Sequence, residues 1–444
     1  MTKWLLIFWC RRCLVAAVVL QVAISAASAQ VLRPLPSGQE PPPFPHKESP
    51  LIEQYPDGPS QPPAFTIPVA PLGFSAPGPF YLLRRQSLIS LDFLDENRLL
   101  FSFQIQQLMR RDDAGDAAEK ERHIRAEVLT LPDGKIEADA HWVVPDRSRY
   151  LWMLKDGHFL LRDSDGLEQG DSALQLAPYL RLPGRLLWLA MDPTQQVLIT
   201  NSLEPAETAQ KAADGVADPA SSPVATTADQ QKPELQQTLV VRTLQRESGH
   251  QIQITRVPWT NQTTDWPISS EGYLTSSKGS GREWVVTLNA FAGGSKVVAH
   301  VDSSCAPTAD YLSQQELLLA TCDPGGGRLV AVSAGGDHLW EVRRTSNVML
   351  PLLVTAQNGS RMAREILVLK QIAKHYRHVI GAKEVIGQKV TVTNTADGKI
   401  MLEAPLTPML DGGGNVAISP SGRRVAILNN GAIQIFELPA AQVP

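Results

Sequence analysis

One phrase recurs four times along this chain and limits its fold more than any other feature. It stands as Phe93-Leu94-Asp95-Glu96-Asn97-Arg98-Leu99-Leu100-Phe101 and again as Ala190-Met191-Asp192-Pro193-Thr194-Gln195-Gln196-Val197-Leu198-Ile199. The third copy is Tyr311-Leu312-Ser313-Gln314-Gln315-Glu316-Leu317-Leu318-Leu319, and the fourth is Ala417-Ile418-Ser419-Pro420-Ser421-Gly422-Arg423-Arg424-Val425-Ala426-Ile427. Each reads as the end of an apolar strand, a tight polar turn and the next apolar strand. A unit of this kind cannot bury its apolar faces alone, so it must stack on its neighbours. A companion phrase, an Asp-Gly turn followed by a strand, occurs at Pro132-Asp133-Gly134-Lys135-Ile136, Lys155-Asp156-Gly157-His158-Phe159 and Ala396-Asp397-Gly398-Lys399-Ile400. It fits a later hairpin of the same unit.

Residues 80–440 continue the pattern, with short β-branched and alternating apolar runs divided by Gly, Pro, Asn and Asp, the mark of an all-β chain. One stretch is ambiguous. In 362–380, Met362, Ile366, Leu369, Ala373, Tyr376 and Ile380 fall at helical spacing, yet Ile366-Leu367-Val368-Leu369 reads equally as a strand, and two twisted strands are the reading taken. The fourth repeat, Ile418-Ser419-Pro420-Ser421-Gly422-Arg423-Arg424-Val425-Ala426, resembles the F-S-P-D-G-x-x-L-A phrase of WD40-like and YVTN-like β-propeller blades, as found in exported bacterial propellers of unknown function. The Gly-His and Trp-Asp dipeptides of WD40 blades are absent, so the resemblance is to a divergent propeller. It implies about seven four-stranded blades over 80–440, at roughly 40–50 residues per blade, with six or eight inside the same arithmetic. Trp142, Trp259 and Trp340 follow Gly134, Gly249 and Gly335. This is similar to the Gly-to-Trp phrase that docks blades in quinone-dependent propeller dehydrogenases, and it implies blade packing rather than a cofactor site.

The N-terminus carries Lys3, Arg11 and Arg12, the apolar stretch 14–24 and the triplet Ala27-Ser28-Ala29 before Gln30. Residues 1–29 are therefore expected to be a signal peptide cleaved between Ala29 and Gln30. If it is not cleaved, the apolar block 4–9 makes an N-terminal membrane anchor the alternative. Arg11-Arg12 also resembles a twin-arginine signal. The expected location is the periplasm or the exterior, with no transmembrane span left after cleavage. Loss of the three cationic residues takes the formal charge from −4 to about −7, which gives no electrostatic pull toward nucleic acid. Cys10 and Cys13 leave with the signal. Cys305 and Cys322 remain, and in an oxidising compartment they are expected to form a disulfide between neighbouring strands. Residues 30–79 are read as a Pro-rich linker, since 15 of the 34 prolines lie in 31–79. Residues 204–234, rich in Ala, Pro, Ser, Thr, Asp and Gln, are read as a disordered insertion, and the charged 110–122 as a solvated loop.

The sequence offers no catalytic, cofactor or metal motif. His375 and His378 lack a third ligand at a metallopeptidase spacing. Asp163, Asp165, Glu168 and Asp171 do not follow the EF-hand order and read as an Asp/Gly turn. Gly325-Gly326-Gly327 and Gly412-Gly413-Gly414 lack the rest of a phosphate-binding loop, and Thr275-Ser276-Ser277-Lys278 lacks the companions of an S-x-x-K nucleophile. The expectation is a non-catalytic exported propeller acting as a protein-interaction or envelope-assembly scaffold, its partner another exported or envelope protein. The alternative is a propeller enzyme of the glycan lyase, hydrolase or lactonase type, with its site at the mouth of the central channel.

Overall fold

The computed structural model describes residues 58–76, 88–105, 121–146, 148–164, 166–205, 237–258, 266–323, 326–345, 348–349, 352–370, 385–410 and 412–441. The chain divides into two units, 1–50 and 51–444, and every described residue lies in the second. The expected signal peptide, its expected cleavage site at Ala29 and Gln30, the insertion from 206 onward, and His375 and His378 lie outside the described residues.

All described secondary structure is β. The first strand, β1 (Phe65–Pro68), is taken up last, after the six blades that follow it. Blade 1 holds β2 (Ile89–Phe93), β3 (Arg98–Gln104), β4 (Arg122–Thr130) and β5 (Lys135–Val144). Blade 2 holds β6 (Leu151–Met153), β7 (Phe159–Arg162), β8 (Gly166–Gly170) and β9 (Leu176–Arg181). Blade 3 holds β10 (Arg185–Met191), β11 (Val197–Pro205), β12 (Gln237–Gln245) and β13 (Gln251–Pro258). In blade 4 the innermost strand shrinks to a bridge from Ile268 to Tyr273, beside β14 (Gly272–Lys278), β15 (Glu283–Ala290) and β16 (Ser295–Asp302). Blade 5 holds β17 (Thr308–Tyr311), β18 (Glu316–Ala320), β19 (Gly326–Ser333) and β20 (His338–Thr345). In blade 6 the short β21 (Val348–Met349) and β22 (Leu353–Thr355) share the inner position against β23 (Arg361–Leu369), followed by β24 (Val385–Asn394) and β25 (Ile400–Pro405). Blade 7 is β26 (Val416–Ile418), β27 (Arg424–Asn429), β28 (Ala432–Glu437) and, outermost, β1.

Seven apolar clusters fill the seven spaces between successive blades, which makes the arrangement a closed β-propeller. Leu100 and Trp142 of blade 1 pack on Leu151 and Phe159 of blade 2, and Leu160 of blade 2 on Leu198 of blade 3. Val241 meets Ile268, Val286 meets Leu319, Leu329 meets Met362, and Val390 meets Ile427, which carries the contacts round to blade 7. The ring shuts where Leu428 and Ile433 of blade 7 join Leu99 and Phe101 of blade 1. Trp142 and Trp340 do dock blades. The Trp142 ring lies 5.4 Å from Phe159, and Trp340 Nε1 donates to the Thr395 carbonyl of blade 6 at 2.5 Å. Trp259 lies outside the described residues.

Three expectations change. The linker reading of 30–79 fails at Phe65–Pro68, which pair antiparallel with Ala432 to Ile435 as the outer strand of blade 7. An outer strand tolerates proline because one of its edges needs no N–H donor, so the proline count concealed it. The insertion also begins later than 204, since Glu204 lies in β11 and its carboxylate is buried against the Arg242 guanidinium. Lys155-Asp156-Gly157 turns between β6 and β7, an early hairpin of its blade and not a later one. The strand reading of 362–369 holds as β23, while 371–380 falls outside the described residues. Among the described residues no helix is long and apolar enough to cross a membrane.

Cys305 and Cys322 are bonded, with Cα atoms 5.5 Å apart. The bridge ties the connection before β17 to the connection between β18 and β19. Replacing both cysteines by Ala, or reducing the native chain, is expected to lower unfolding stability by about 2–4 kcal/mol, read by urea unfolding with and without reductant. An unchanged midpoint would mean that the loops are held by other contacts alone.

Candidate functional site

An antiparallel meander sorts its connections by face. In each blade the first hairpin, from inner to second strand, emerges at one end of the ring, and the second hairpin and the link to the next blade emerge at the other. The first end is a face of short turns, 94–97, 154–158, 192–196, 269–271, 312–315, 356–360 and 419–423. The opposite end, the loop face, launches the stretches 105–121, 206–236, 259–265 and 370–384, and it also carries the disulfide. Binding groups concentrate on connections held by a rigid scaffold.

At the turn face, glutamines from three blades meet near the axis. Gln195, in the turn between β10 and β11, donates from Nε2 to the Met153 carbonyl at 3.0 Å and accepts the Lys155 N–H at Oε1 at 2.7 Å. Gln314 of blade 5 donates to Asp192 Oδ2 of blade 3 at 2.6 Å, passing over blade 4, whose Ser270 hydroxyl donates to Gln314 Oε1. Gln357 of blade 6 reaches the Leu154 carbonyl of blade 2 at 3.4 Å. A side chain of this length spans non-adjacent blades only where the turns close over the axis, so this end of the channel is plugged.

Further along the axis, the wall between blades 1 and 2 is polar. Ser90 and Asp92 alternate along β2 with Ile89, Leu91 and Phe93, which are buried toward blade 7. Ser90 Oγ donates to Asp92 Oδ2 at 2.6 Å. Burial pushes the Asp92 carboxyl up, and the Ser90 hydroxyl and the Arg149 charge pull it part of the way back. Burial pushes the Arg149 guanidinium down, opposed by the charge of Asp92. Arg149 nevertheless keeps exposed surface. Tyr150 lies beside them, its hydroxyl 2.8 Å from Ser102 Oγ, and burial raises its phenol.

A second polar knot supports the rim. Glu365 on β23 is buried, with Oε1 accepting the Gly414 N–H at 3.1 Å and Oε2 accepting Gln388 Nε2 at 2.9 Å. Burial dominates and pushes its carboxyl up to about 8. Gly414 lies at φ +105°, and a Cβ there would stand 2.1 Å from the Ile89 carbonyl, so the connection fits against blade 1 only as glycine.

The remaining candidates are structural. Asp163 is paired with Arg181 at 2.6 Å, Glu168 lies 3.7 Å from the same guanidinium, and Asp171 accepts the Ala173 and Gln175 N–H groups of its own turn. Asp165 lies outside the described residues. Lys278, from the Ser-Ser-Lys phrase, stands over the Trp284 ring at 4.8 Å. No group of three or more His, Cys, Asp or Glu among the described residues is placed to hold a metal. Neither Asp92 with Arg149 nor the three glutamines stand out in the sequence, because each partner lies on a different blade or strand end.

No protein-family model matches the chain, and no curated protein matches it. An acylaminoacyl peptidase from Pyrococcus horikoshii is similar at 8% identity and a TM-score of 0.45, over 80% of this chain and 51% of that one. The chain thus spans about half the length of the peptidase it matches. TolB from Acinetobacter baumannii is similar at 12% identity and a TM-score of 0.33, over 72% of this chain and 77% of that one. Hsv2p from Kluyveromyces lactis follows at 11% identity and 0.36, over 64% and 71%. Likeness at these identities concerns architecture alone, and the strand pairing and the ring of inter-blade clusters establish that architecture directly: a seven-bladed β-propeller closed by its own N-terminal strand.

Proposed function

We propose that this chain is an exported, non-catalytic propeller that presents its loop face to a protein partner of the cell envelope or the exterior, as an interaction or assembly scaffold. The observation that carries the reading is the asymmetry of the two faces. Short turns and a glutamine plug close one, while the other bears every long connection and the disulfide. The arm at 58–64 enters blade 7 from the turn-face side, where Gln61 donates to the Glu437 carbonyl, so a tether there leaves the loop face pointing away from it. The leader-like sequence at 1–29 and the disulfide both suit an oxidising compartment. The enzyme reading draws less support. The described channel wall sets one carboxylate, Asp92, in the field of one guanidinium, Arg149, whereas a glycosidase of the usual kind needs two carboxyl groups.

In-cell cross-linking of the tagged full-length chain with an amine-reactive reagent, followed by mass spectrometry of the envelope and medium fractions, tests the proposal. A reproducible partner joined through Lys278 on the loop face, and not through Lys155 or Lys399 on the turn face, is the expected result. A partner joined only through the turn face, or none alongside a stoichiometric metal or small molecule, overturns it.

A further inference from the structure

We propose that Arg149 and Asp92 form a receptor, inside the blind channel, for a single carboxylate that carries a hydrogen-bond donor beside it. The proposal stands apart from the scaffold reading, because it concerns the axis and not the loop face.

Arg149 is placed in the channel by what it touches. Its Nε donates to the Leu151 carbonyl at 3.1 Å. Just before β6, Tyr150 turns its carbonyl toward the second strand, accepting the Arg162 N–H at 2.8 Å, so the Leu151 carbonyl one residue on faces the free inner edge and the axis. The guanidinium lies 5.5 Å from the ring centre of Trp152, a buried side chain. An arginine held over an aromatic face keeps its N–H edge directed outward. Nε is satisfied, and neither Nη has an acceptor among the described residues. That leaves a planar fork of the shape a carboxylate fills with two parallel hydrogen bonds.

Asp92 sets the second requirement. Its Oδ2 accepts from Ser90, while Oδ1 has no donor among the described residues. The two opposite charges balance, so a monocarboxylate adds one negative charge to a neutral wall, whereas a phosphate dianion would set two beside Asp92. A donor a few ångströms from the incoming carboxylate completes the match by reaching Oδ1. The plug of Gln195, Gln314 and Gln357 allows entry from the loop face only, which suits a chain end or a small molecule and excludes a polypeptide threaded through. The last amide of a polypeptide C-terminus and the hydroxyl of a hydroxy acid supply the same chemistry.

The full chain would be titrated calorimetrically with N-acetyl-Ala-Ala-Ala, with its C-terminal amide, with glucuronate and with acetate. Expected is saturable binding of the free-acid peptide, of glucuronate or of both, at least about tenfold tighter than the amide and than acetate. Binding of the peptide alone assigns the site to a chain end, and binding of glucuronate alone to a small acid. Arg149→Met is expected to abolish it, and Arg149→Lys, which keeps the charge but loses the fork, to weaken it about tenfold. Asp92→Asn is expected to narrow the gap between glucuronate and acetate. Thermal midpoints of the variants show that they fold, and if Arg149→Met does not, the Lys variant carries the test. Equal binding of acid and amide, binding unchanged in the Arg149 variants, or no binding of either acid at about 10 mM overturns the proposal. The cross-linking result does not depend on Arg149, so the two readings fail separately.

Discussion

A chain beginning at residue 80 is expected not to form a stable propeller, although it contains every residue of the span that reads as one. Without β1, blade 7 loses its outer strand, and the space between blades 7 and 1 loses Ile67, Val69, Leu72 and Phe74, all buried. The Phe74 ring lies 5.4 Å from both Phe101 and Phe103, so its loss opens the seam itself. At about 1.5–3 kcal/mol per buried side chain, four such losses total roughly 6–12 kcal/mol, comparable with the whole stability of an ordinary domain at about 5–15 kcal/mol. Urea unfolding of chains starting at 58 and at 80 measures this. The longer chain should give a cooperative transition and the shorter one a broad transition or aggregation. Ile67→Ala alone should cost about 2–5 kcal/mol, since it leaves a cavity against Gly134, where Ile67 is in tight contact. Equal midpoints for the two chains would return 30–79 to the status of a spacer.

The second large effect is a dependence on pH set by Glu365. Burial pushes its folded carboxyl up to about 8, against 4.5 for a free glutamate. Between those values the unfolded chain has lost the proton and the folded chain keeps it, so rising pH draws the equilibrium toward unfolding, by up to about 1.4 kcal/mol per pH unit. The stability is complete below about 4.5, declines as pH climbs toward 8, and levels off above. A net loss of several kcal/mol between pH 5 and 8 is expected from urea midpoints. Glu365→Gln keeps an acceptor for the Gly414 N–H and cannot ionise, so its slope should be much shallower. Burial also raises Asp92 and Glu127, so the difference between the two chains is the quantity to read. Asp146, Asp163 and Glu204 are held low by their arginines, and their contribution is lost only as pH falls through the acid range. Parallel slopes for the parent and Glu365→Gln would remove Glu365 from the account.

How much of this was legible follows from which interactions are local. All four copies of the repeated phrase fall on the hairpin between the inner and second strands of a blade, because Asp, Ser, Pro and Gly fix a turn through bonds within a few residues, as Asp192 does in accepting the Val197 N–H at 2.7 Å. The Asp-Gly phrase marks two later hairpins, at Gly134 and Gly398, and one early hairpin, at Gly157. A positive-φ glycine specifies a turn and not its rank in the sheet. The disulfide was legible from the two cysteines left outside the leader-like N-terminus and the oxidising compartment that such a leader leads one to expect. The closing strand was not, since its partner stands at the other end of the chain and its prolines mimic a linker. Arg149 and Asp92, Glu365 and Gln388, and the three plug glutamines were equally hidden. Each is an ordinary residue until the ring brings its partner from another strand or blade.

The seam also orders events in time. Phe65–Pro68 leave the ribosome about 360 residues before their pairing partners Ile435, Gln434, Ile433 and Ala432 are made. At about 5–20 residues per second, the interval between them is on the order of tens of seconds. Throughout it, Ile67 has no cavity to enter and the outer edge of the final blade does not yet exist. Nascent chains interrupted before residue 432 therefore share one defect: a strand at Phe65–Pro68 whose pairing partner has not yet been made.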